Sequence, residues 1–163
     1  EIDSFPDEVK RMESLGCELG NHTYSHVDLT TLAPEDMSAE IAGVDEDLVN
    51  LVGHGATVLR PPYGNINDSV RSTVGTPMIL WSIDTLDWET QDASQITEAV
   101  MSQVQDGSII LMHDIFSTSV DAAEIFIPKL IEEGYQLVTI HELAKIKGTE
   151  LTTGIAYGDF TGQ

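Results

Sequence analysis

Hydrophobic positions along the chain alternate between a helical period and short continuous runs. The clearest helical pattern runs from Pro34 to Val52, where apolar residues recur at steps of three and four and acidic residues fill the other face. Gly53 follows and is expected to end that helix. Apolar runs bounded by glycine, proline or polar residues, such as residues 78–84, are typical of buried strands. The pattern therefore predicts repeated strand–helix units.

Extended over the whole chain, these patterns predict helices and strands in alternation. Helices are expected over residues 4–15, 34–52, 67–74, 94–104, 120–133 and 141–146, and strands over 17–20, 58–60, 78–84, 108–112 and 136–139. Near-continuous apolar strands between helices indicate an α/β fold with a parallel sheet, either doubly wound or closed as a barrel.

Polar residues at the ends of the predicted strands favour the barrel. His22, Arg60, Asp84, Asp87 and His113 all lie at or just beyond the carboxyl ends of different strands. Enzymes with a (β/α) barrel build their active sites at that end. Five predicted strands are fewer than the roughly eight of the usual barrel. We therefore expect a barrel whose N-terminal strand–helix units are missing from this chain.

Length and charge narrow the classes of function. The 163 residues fit one domain, which we place at residues 1–147, followed by a glycine-rich C-terminal extension at 148–163. With 28 acidic and 7 basic residues the formal net charge is −21, which disfavours nucleic acid and anionic membrane surfaces as partners. No apolar run is long enough for a membrane-spanning helix. The single cysteine, Cys17, cannot form an internal disulfide and is expected to be buried.

Two histidines with three residues between them, His22 and His26, are the first candidate metal ligands. Imidazole is a preferred ligand of zinc and similar cations, but a catalytic site also needs a third protein ligand and an open position for water. Two unrelated surface histidines would give the same spacing, so the pair alone does not decide between these readings.

Four short motifs follow one another in a fixed order. They are His22 to His26, Arg60-Pro61-Pro62-Tyr63, Asp84-Thr85-Leu86-Asp87-Trp88 and Leu111-Met112-His113. In order and spacing they resemble the polysaccharide deacetylases of the NodB-homology type, carbohydrate esterase family 4, which remove N- or O-acetyl groups from sugars. The resemblance is closest to bacterial peptidoglycan and chitin-type deacetylases. The family's first motif, Thr-Phe-Asp-Asp-Gly, which carries the catalytic base and third metal ligand, occurs nowhere in these residues.

The resemblance implies a role for each residue in the first two motifs. His22 and His26 would hold a divalent cation, with zinc favoured over cobalt, nickel or manganese, and a water bound to it would attack the acetyl carbonyl. Arg60 would orient the absent carboxylate base, although a surface arginine is the plain alternative. Tyr63 would contact the substrate and donate its backbone N–H to the oxyanion, although its ring could equally serve packing.

The last two motifs would supply proton transfer and the substrate groove. His113 resembles the general acid that protonates the departing amine, and Asp87 the carboxylate that orients it. Trp88 and Leu111 would line the groove and the pocket for the acetyl methyl, though both could simply be core residues. Ser25, Asp84 and Asp114 are assigned supporting or capping roles. His54 and His141, which lie outside every motif, are expected to be bystanders.

The function implied is metal-dependent deacetylation of a polysaccharide that contains N-acetylglucosamine, either peptidoglycan or a chitin-like polymer. Acetylxylan is the alternative substrate, and a catalytically inactive carbohydrate-binding module is the rival class. The expected partners are the acetylated polymer and the missing N-terminal segment of the same domain, which could be a separate chain. The substrate class implies an extracellular or cell-wall location.

Overall fold

The computed structural model describes residues 2–162, which divide into two compact units. The first unit contains the chain up to Ile79 together with Glu150–Tyr157, and the second contains Leu80–Thr149 together with the residues from Gly158 onward. Each unit thus combines a long continuous stretch of chain with part of the C-terminal tail.

Six of the seven α-helices in residues 2–162 follow the predicted pattern closely, whereas the short helix at Asp87–Thr90 was not predicted. The helices of the first unit are α1 (Pro6–Ser14), α2 (Pro34–Val52) and α3 (Asp68–Thr73), and those of the second are α4 (Asp87–Thr90), α5 (Ala93–Gln103), α6 (Ser117–Glu132) and α7 (Ile140–Ile146). Helix α2 ends at Gly53, whose φ of 90° is a left-handed conformation that glycine adopts without a Cβ penalty.

Strands β1 (Met78–Ile79) and β4 (Ala156–Tyr157) of the first unit pair in parallel. Two single parallel bridges, Asn21 with Leu59 and Leu59 with Met78, continue this pairing. Four extended segments therefore lie side by side in parallel. The Asn21 N–H donates to the Val58 carbonyl at 2.8 Å, and the Arg60 N–H donates to the Asn21 carbonyl at 2.8 Å. This register places the chain after Asn21 beside the chain after Leu59.

Strands β2 (Ile83–Asp84) and β3 (Ile110–Leu111) of the second unit also pair in parallel, with Asp84 opposite Leu111. An antiparallel bridge joins Ser108 to Asp159 in the tail. The carboxyl ends of β2 and β3 consequently lie at the same edge, and the chain that follows each strand carries one of the predicted motifs.

Each unit has its own apolar core. In the first unit, a cluster of buried side chains forms around α2, α3 and β1: Leu29, Met37, Leu59, Val70, Val74 and Met78. In the second unit, α5 packs on α6 through another cluster: Ile96, Val100, Ala122, Phe126 and Leu130. The second cluster joins the apolar faces of two predicted amphipathic helices, whereas the first combines residues of α2 and α3 with residues of the extended segments.

Several sequence predictions differ from the structure. Residues 78–84 form two short strands, β1 and β2, which pair with different partners, β4 and β3. Residues 136–139 form no strand, and Thr139 caps α7 in a reciprocal pair of hydrogen bonds with Glu142. Residues 17–20 contain no regular strand, and Cys17 is exposed rather than buried.

The α/β part of the fold prediction is confirmed, since parallel strand pairs alternate with helices in the described residues. The pairs within each unit do not show a closed barrel. Among helices in residues 2–162, none combines the length and hydropathy needed to cross a bilayer. The tail is not simply an irregular extension, because it supplies β4 and the fully buried Phe160.

Candidate active site

The loop that carries the histidine pair has an unusual backbone. Thr23 and His26 have positive φ angles of 66° and 56°, a left-handed conformation that is rare for residues other than glycine. Thr23 is β-branched, so its conformation is a true outlier. Such conformations persist only where surrounding contacts fix them, and they concentrate at functional sites.

Asn21 and Glu40 provide the contacts that fix this loop. The side chain of Asn21 is buried, and its Oδ1 accepts the Thr23 N–H at 2.9 Å. Glu40 on α2 uses both carboxylate oxygens, which accept the Ser25 N–H at 2.8 Å and the Ser25 Oγ–H at 2.7 Å. The Tyr24 N–H donates to the Glu40 backbone carbonyl. The loop is therefore fastened to helix α2 at Tyr24 and Ser25 and braced within itself by Asn21.

The two imidazoles lie beside one another in this loop. The ring centroids of His22 and His26 are 4.8 Å apart, with an interplanar angle of 78°. His22 Nδ1 lies 2.5 Å from the backbone carbonyl oxygen of Arg60. A carbonyl oxygen can only accept, so Nδ1 carries the hydrogen and the lone pair of neutral His22 is on Nε2. Metal-binding histidines are usually oriented in this way, with one ring N–H bonded to the protein and the other nitrogen left for the metal.

The donor set fits one part of a metal centre. Neutral imidazole nitrogens are suitable zinc ligands, and His22 and His26 are both exposed. No group of three or more His, Cys, Asp or Glu side chains in the described residues is placed to hold a metal ion. The chain therefore brings two neutral ligands together, and a catalytic site needs a further protein ligand.

Arg60 and Tyr63 lie in the adjacent segment of the first unit. Burial lowers the pKa of the Arg60 guanidinium below its ordinary value, although arginine stays charged in proteins. Tyr63 lies in a short turn after two buried prolines and has a φ of 60°. Its ring centroid is 5.1 Å from that of His26, in an edge-to-face contact. The structure thus brings His22, His26, Arg60 and Tyr63 together within the first unit.

His113 and Asp87 form a second group, in the second unit. The Asp87 side chain is fully buried, and its Oδ1 accepts from His113 Nδ1 at 2.7 Å. Its Oδ2 accepts the His113 backbone N–H at 2.6 Å and the Ser119 Oγ–H at 2.7 Å. The Trp88 N–H donates to Oδ1 at 3.0 Å. An ionised carboxylate can accept all of these bonds, so Asp87 holds His113 in the Nδ1–H tautomer.

Two opposing effects set the ionisation of Asp87. Burial alone would raise its pKa, because a low-dielectric environment disfavours the charged form. Hydrogen bonds from Ser119 and from the side chain and backbone of His113 outweigh burial and hold the pKa of Asp87 below its ordinary value. Asp87 is therefore an anion at neutral pH despite its burial.

Trp88 and Leu111 differ in exposure. Trp88 follows Asp87 in α4 and is 50% exposed, so its ring is available to a ligand. Leu111 is 7% exposed and lies in β3 opposite Asp84. The Thr85 hydroxyl donates to the Leu111 carbonyl at 2.9 Å, which ties the two motif-bearing segments together. Leu86, which lies between Thr85 and Asp87, has a φ of 52° and is another left-handed non-glycine residue within a motif.

Comparison with known proteins identifies the family. The family model described as polysaccharide deacetylase matches residues 1–76. The peptidoglycan-N-acetylmuramic acid deacetylase PdaC of Bacillus subtilis is 40% identical over 146 residues, covering 90% of this chain and 31% of PdaC. A solved structure of PdaC matches with a TM-score of 0.88 and 39% identity, over 90% of this chain and 73% of that chain. The chain belongs to the polysaccharide deacetylase family.

Other members of the polysaccharide deacetylase family extend the comparison. The peptidoglycan-N-acetylglucosamine deacetylase PgdA of Listeria monocytogenes is 36% identical over 156 residues, covering 96% of this chain and 33% of PgdA. A family 4 acetyl xylan esterase from Clostridium thermocellum, solved with a cobalt ion, matches with a TM-score of 0.89 and 28% identity, over 96% of this chain and 79% of that chain. The chain spans about a third of the length of PdaC and PgdA.

Three residues of this chain that support the motifs were not singled out from the sequence. Asn21 precedes the histidine motif, but nothing in its type predicts a buried side chain. Glu40 was expected to lie on the solvated face of α2, and it instead binds Ser25. Ser119 is one of three adjacent hydroxyl residues at the start of α6, and sequence does not show which one faces inward.

The remaining candidates have local contacts. Asp84 Oδ1 accepts the Leu86 N–H at 3.0 Å, a turn-capping bond, and Asp114 is exposed. His54 contacts Glu13 on α1 at 3.0 Å and the Gly55 carbonyl at 2.9 Å, outside all of the motifs. Neither His54 nor the exposed His141 belongs to either group of candidate residues.

Proposed function

We propose that this chain acts in a metal-dependent hydrolase that removes acetyl groups from a polysaccharide containing N-acetylglucosamine, such as peptidoglycan or a chitin-like polymer. The observation that carries the proposal is the His22–His26 pair, in which the Nδ1–H of His22 is engaged by the Arg60 carbonyl. The peptidoglycan deacetylases PdaC and PgdA, which are similar over at least nine tenths of this chain, support the substrate class.

His22 and His26 would hold the cation, for which we propose zinc. A cobalt ion is present in the solved structure of the similar acetyl xylan esterase, and imidazole nitrogen can bind either zinc or cobalt. When bound, the cation would supply Lewis-acid polarisation and make water a nucleophile near neutral pH. We propose that the third ligand and the general base are carboxylates from outside these 163 residues, from the same protein or from a separate chain.

Arg60 and Tyr63 would stabilise negative charge at the reaction centre, Arg60 on the carboxylate base and Tyr63 on the oxyanion. The partly buried guanidinium of Arg60 would pair with the carboxylate base and keep it ionised, because a cation in a low-dielectric setting strongly favours a neighbouring anion. Tyr63 would present its backbone N–H to the developing oxyanion. The two buried prolines and the left-handed backbone fix that peptide before substrate binds, so little reorganisation is needed.

His113 would protonate the departing amine through Nε2. Asp87 accepts the Nδ1–H and would stabilise the imidazolium that exists before proton donation, as a buried anion does in other aspartate–histidine pairs. Trp88, which is half exposed, would form one wall of the sugar groove, and Leu111 would contact the acetyl methyl. With these roles, His113, Asp87, Arg60 and Tyr63 are the proposed catalytic set.

The finer features of the fold are part of the same proposal. We propose a distorted (β/α) barrel of the deacetylase type, supported by the parallel pairing within each unit and the motifs that follow the strands. The proposed site residues all lie within residues 1–147, and the tail from 148 onward adds β4 and Phe160. An extracellular or cell-wall location is proposed from the substrate class.

The proposal is tested with the protein expressed together with any residues that its gene encodes on either side of this chain. Acetate release would be measured from peptidoglycan, acetylated chitooligosaccharides and acetylxylan after loading with zinc or cobalt. We expect release from the first two, and loss of release when His22 and His26 are both replaced by Ala. Release only from acetylxylan would instead assign the O-deacetylase function, which the similarity to the xylan esterase favours as the second candidate.

No release from any polymer, combined with retained binding to it, would assign the inactive binding module. That reading is favoured by one observation only, the lack of a third metal ligand among the described residues. Retained binding without release would overturn the hydrolase proposal, provided that metal analysis shows a loaded protein.

A further inference from the structure

The carboxylate of Asp87 is fully buried and makes one bond that none of the deacetylase motifs explains. Ser119 donates its Oγ–H to Asp87 Oδ2 at 2.7 Å, and Ser119 is only 2% exposed. Ser119 lies near the start of α6, 32 residues after Asp87. The bond therefore links two elements that only the tertiary fold brings together.

We propose that Ser119 is a positioning residue for the proton donor His113, acting through Asp87. The inference rests on the proposed function, because it assigns His113 the proton transfer. Asp87 offers two oxygens with separate tasks: Oδ1 accepts from the His113 ring, and Oδ2 accepts from the His113 backbone and from Ser119. The Ser119 hydroxyl fixes the rotation of the carboxylate, so that Oδ1 stays aimed at Nδ1.

The chemistry of the donor matters as much as the geometry. A hydroxyl adds a hydrogen bond to an anion without adding charge, so it stabilises the ionised form of Asp87 without competing with His113 as a cation. Without that bond, only the hydrogen bonds from His113 and the Trp88 N–H would oppose burial, which disfavours the anion. An Asp87 that bound its own proton could no longer stabilise the imidazolium of His113.

Few groups around Asp87 could take over the role of Ser119 in stabilising its ionised form. Within the described part of the second unit, the group that interacts electrostatically with Asp87 is His113, and α6 contributes the Ser119 hydroxyl. The nearby carboxylate of Asp84 is bonded to the Leu86 N–H, and that of Asp114 is exposed. The Asp87 anion is thus stabilised by hydrogen bonds from the ring and backbone of His113, from the Trp88 N–H and from Ser119, which provides the hydroxyl donor.

The test replaces Ser119 by Ala in the full-length protein, with Ser117→Ala as the matched control. Ser117 is an exposed serine two residues earlier in the same helix. We expect Ser119→Ala to lower kcat roughly tenfold with KM little changed, since hydrogen bonds to charged groups have effects of this size. The acid limb of the kcat profile should move to higher pH. Ser117→Ala should match the parent protein in both.

A second readout does not depend on activity. NMR titration of labelled aspartate should show the pKa of Asp87 rising by about one unit in Ser119→Ala, with a weakened Nδ1–H signal for His113. If Ser119→Ala fails to fold, Ser119→Cys, a near-isosteric weak donor, should show an intermediate shift. An unchanged pKa and an unchanged Nδ1–H signal would overturn the inference. A shifted pKa in a protein that releases no acetate would overturn the proposed function alone.

Discussion

His22 Nδ1 and the Arg60 carbonyl oxygen are 2.5 Å apart, so the first histidine of one motif is oriented by the backbone of the next. This contact follows from the parallel bridge between Asn21 and Leu59, which sets one segment beside the other. Orientation of the ring by a carbonyl frees Nε2 for a cation and fixes the tautomer. Metal binding at the proposed site would therefore depend on strand register as well as on the presence of two histidines.

The first prediction concerns direct loss of a ligand. His26→Ala should weaken binding of zinc or cobalt by more than about tenfold, because one of two imidazole donors is removed. Isothermal titration calorimetry of the chain and the variant measures the change. His54→Ala serves as control, since His54 contacts Glu13 and the Gly55 carbonyl instead of the motif loop. Equal metal affinity of His26→Ala and the parent would contradict the assignment of His26.

The second prediction concerns the anchor of the histidine loop. Glu40→Ala removes both acceptors of Ser25, so the strained loop should relax and metal affinity should fall roughly tenfold, as for other supporting residues of metal sites. Unfolding free energy should fall by about 1–2 kcal/mol. Glu46→Ala is the control, because Glu46 is exposed on the same helix. A Glu40→Ala protein that binds metal as well as Glu46→Ala would show that the loop holds its shape unaided.

The third prediction is a pH dependence of stability. The pKa of Asp87 is depressed in the folded state. Its contribution to the free energy of unfolding is therefore present above the unfolded-state pKa, about 3.9 for aspartate, and is lost as pH falls through the folded-state pKa. Urea unfolding of the parent and of Asp87→Asn at several pH values isolates the contribution of Asp87 to the free energy of unfolding. The stability advantage of the parent should shrink as the solution is acidified below about pH 4. An advantage that is constant between neutral and strongly acid pH would refute the depressed pKa.

The fourth prediction tests whether the tail is part of the second unit. Gly107 and Gly134 both have positive φ, 99° and 92°, but a Cβ on Gly107 would lie 2.5 Å from the Phe160 backbone, whereas one on Gly134 would meet nothing within 4 Å. Gly134→Ala should cost about 1–2 kcal/mol for backbone strain alone. Gly107→Ala should cost roughly 3 kcal/mol or more, because it also displaces the buried Phe160.

Chemical denaturation of the two glycine variants gives this difference directly. The comparison is informative because the backbone strain is nearly the same in both. Similar losses of unfolding free energy would mean that the residues around Phe160 contribute little to the stability of the second unit.

Helices were predictable because their signal is local. The apolar spacing and the glycine after Val52 define α2, and the structure has the predicted bounds. The strands were less predictable, because each contains only two residues and is defined by a partner distant in sequence. Residues 136–139 have the composition of a strand, but they pair with no strand of the described residues, and Thr139 caps α7.

The sequence alone determined the family and the candidate residues, because the spacing of His22, Arg60, Asp87 and His113 is a property of the chain that needs no coordinates. The tertiary structure decided what holds those residues in place. Asn21, Glu40 and Ser119 lie far from their partners in sequence or carry no distinguishing pattern. Only the fold shows that Asn21 and Ser119 turn their polar atoms inward and that Glu40 reaches Ser25. The reason is physical: burial makes a hydrogen bond obligatory for a polar group, and burial is set by the whole fold rather than by neighbouring residues.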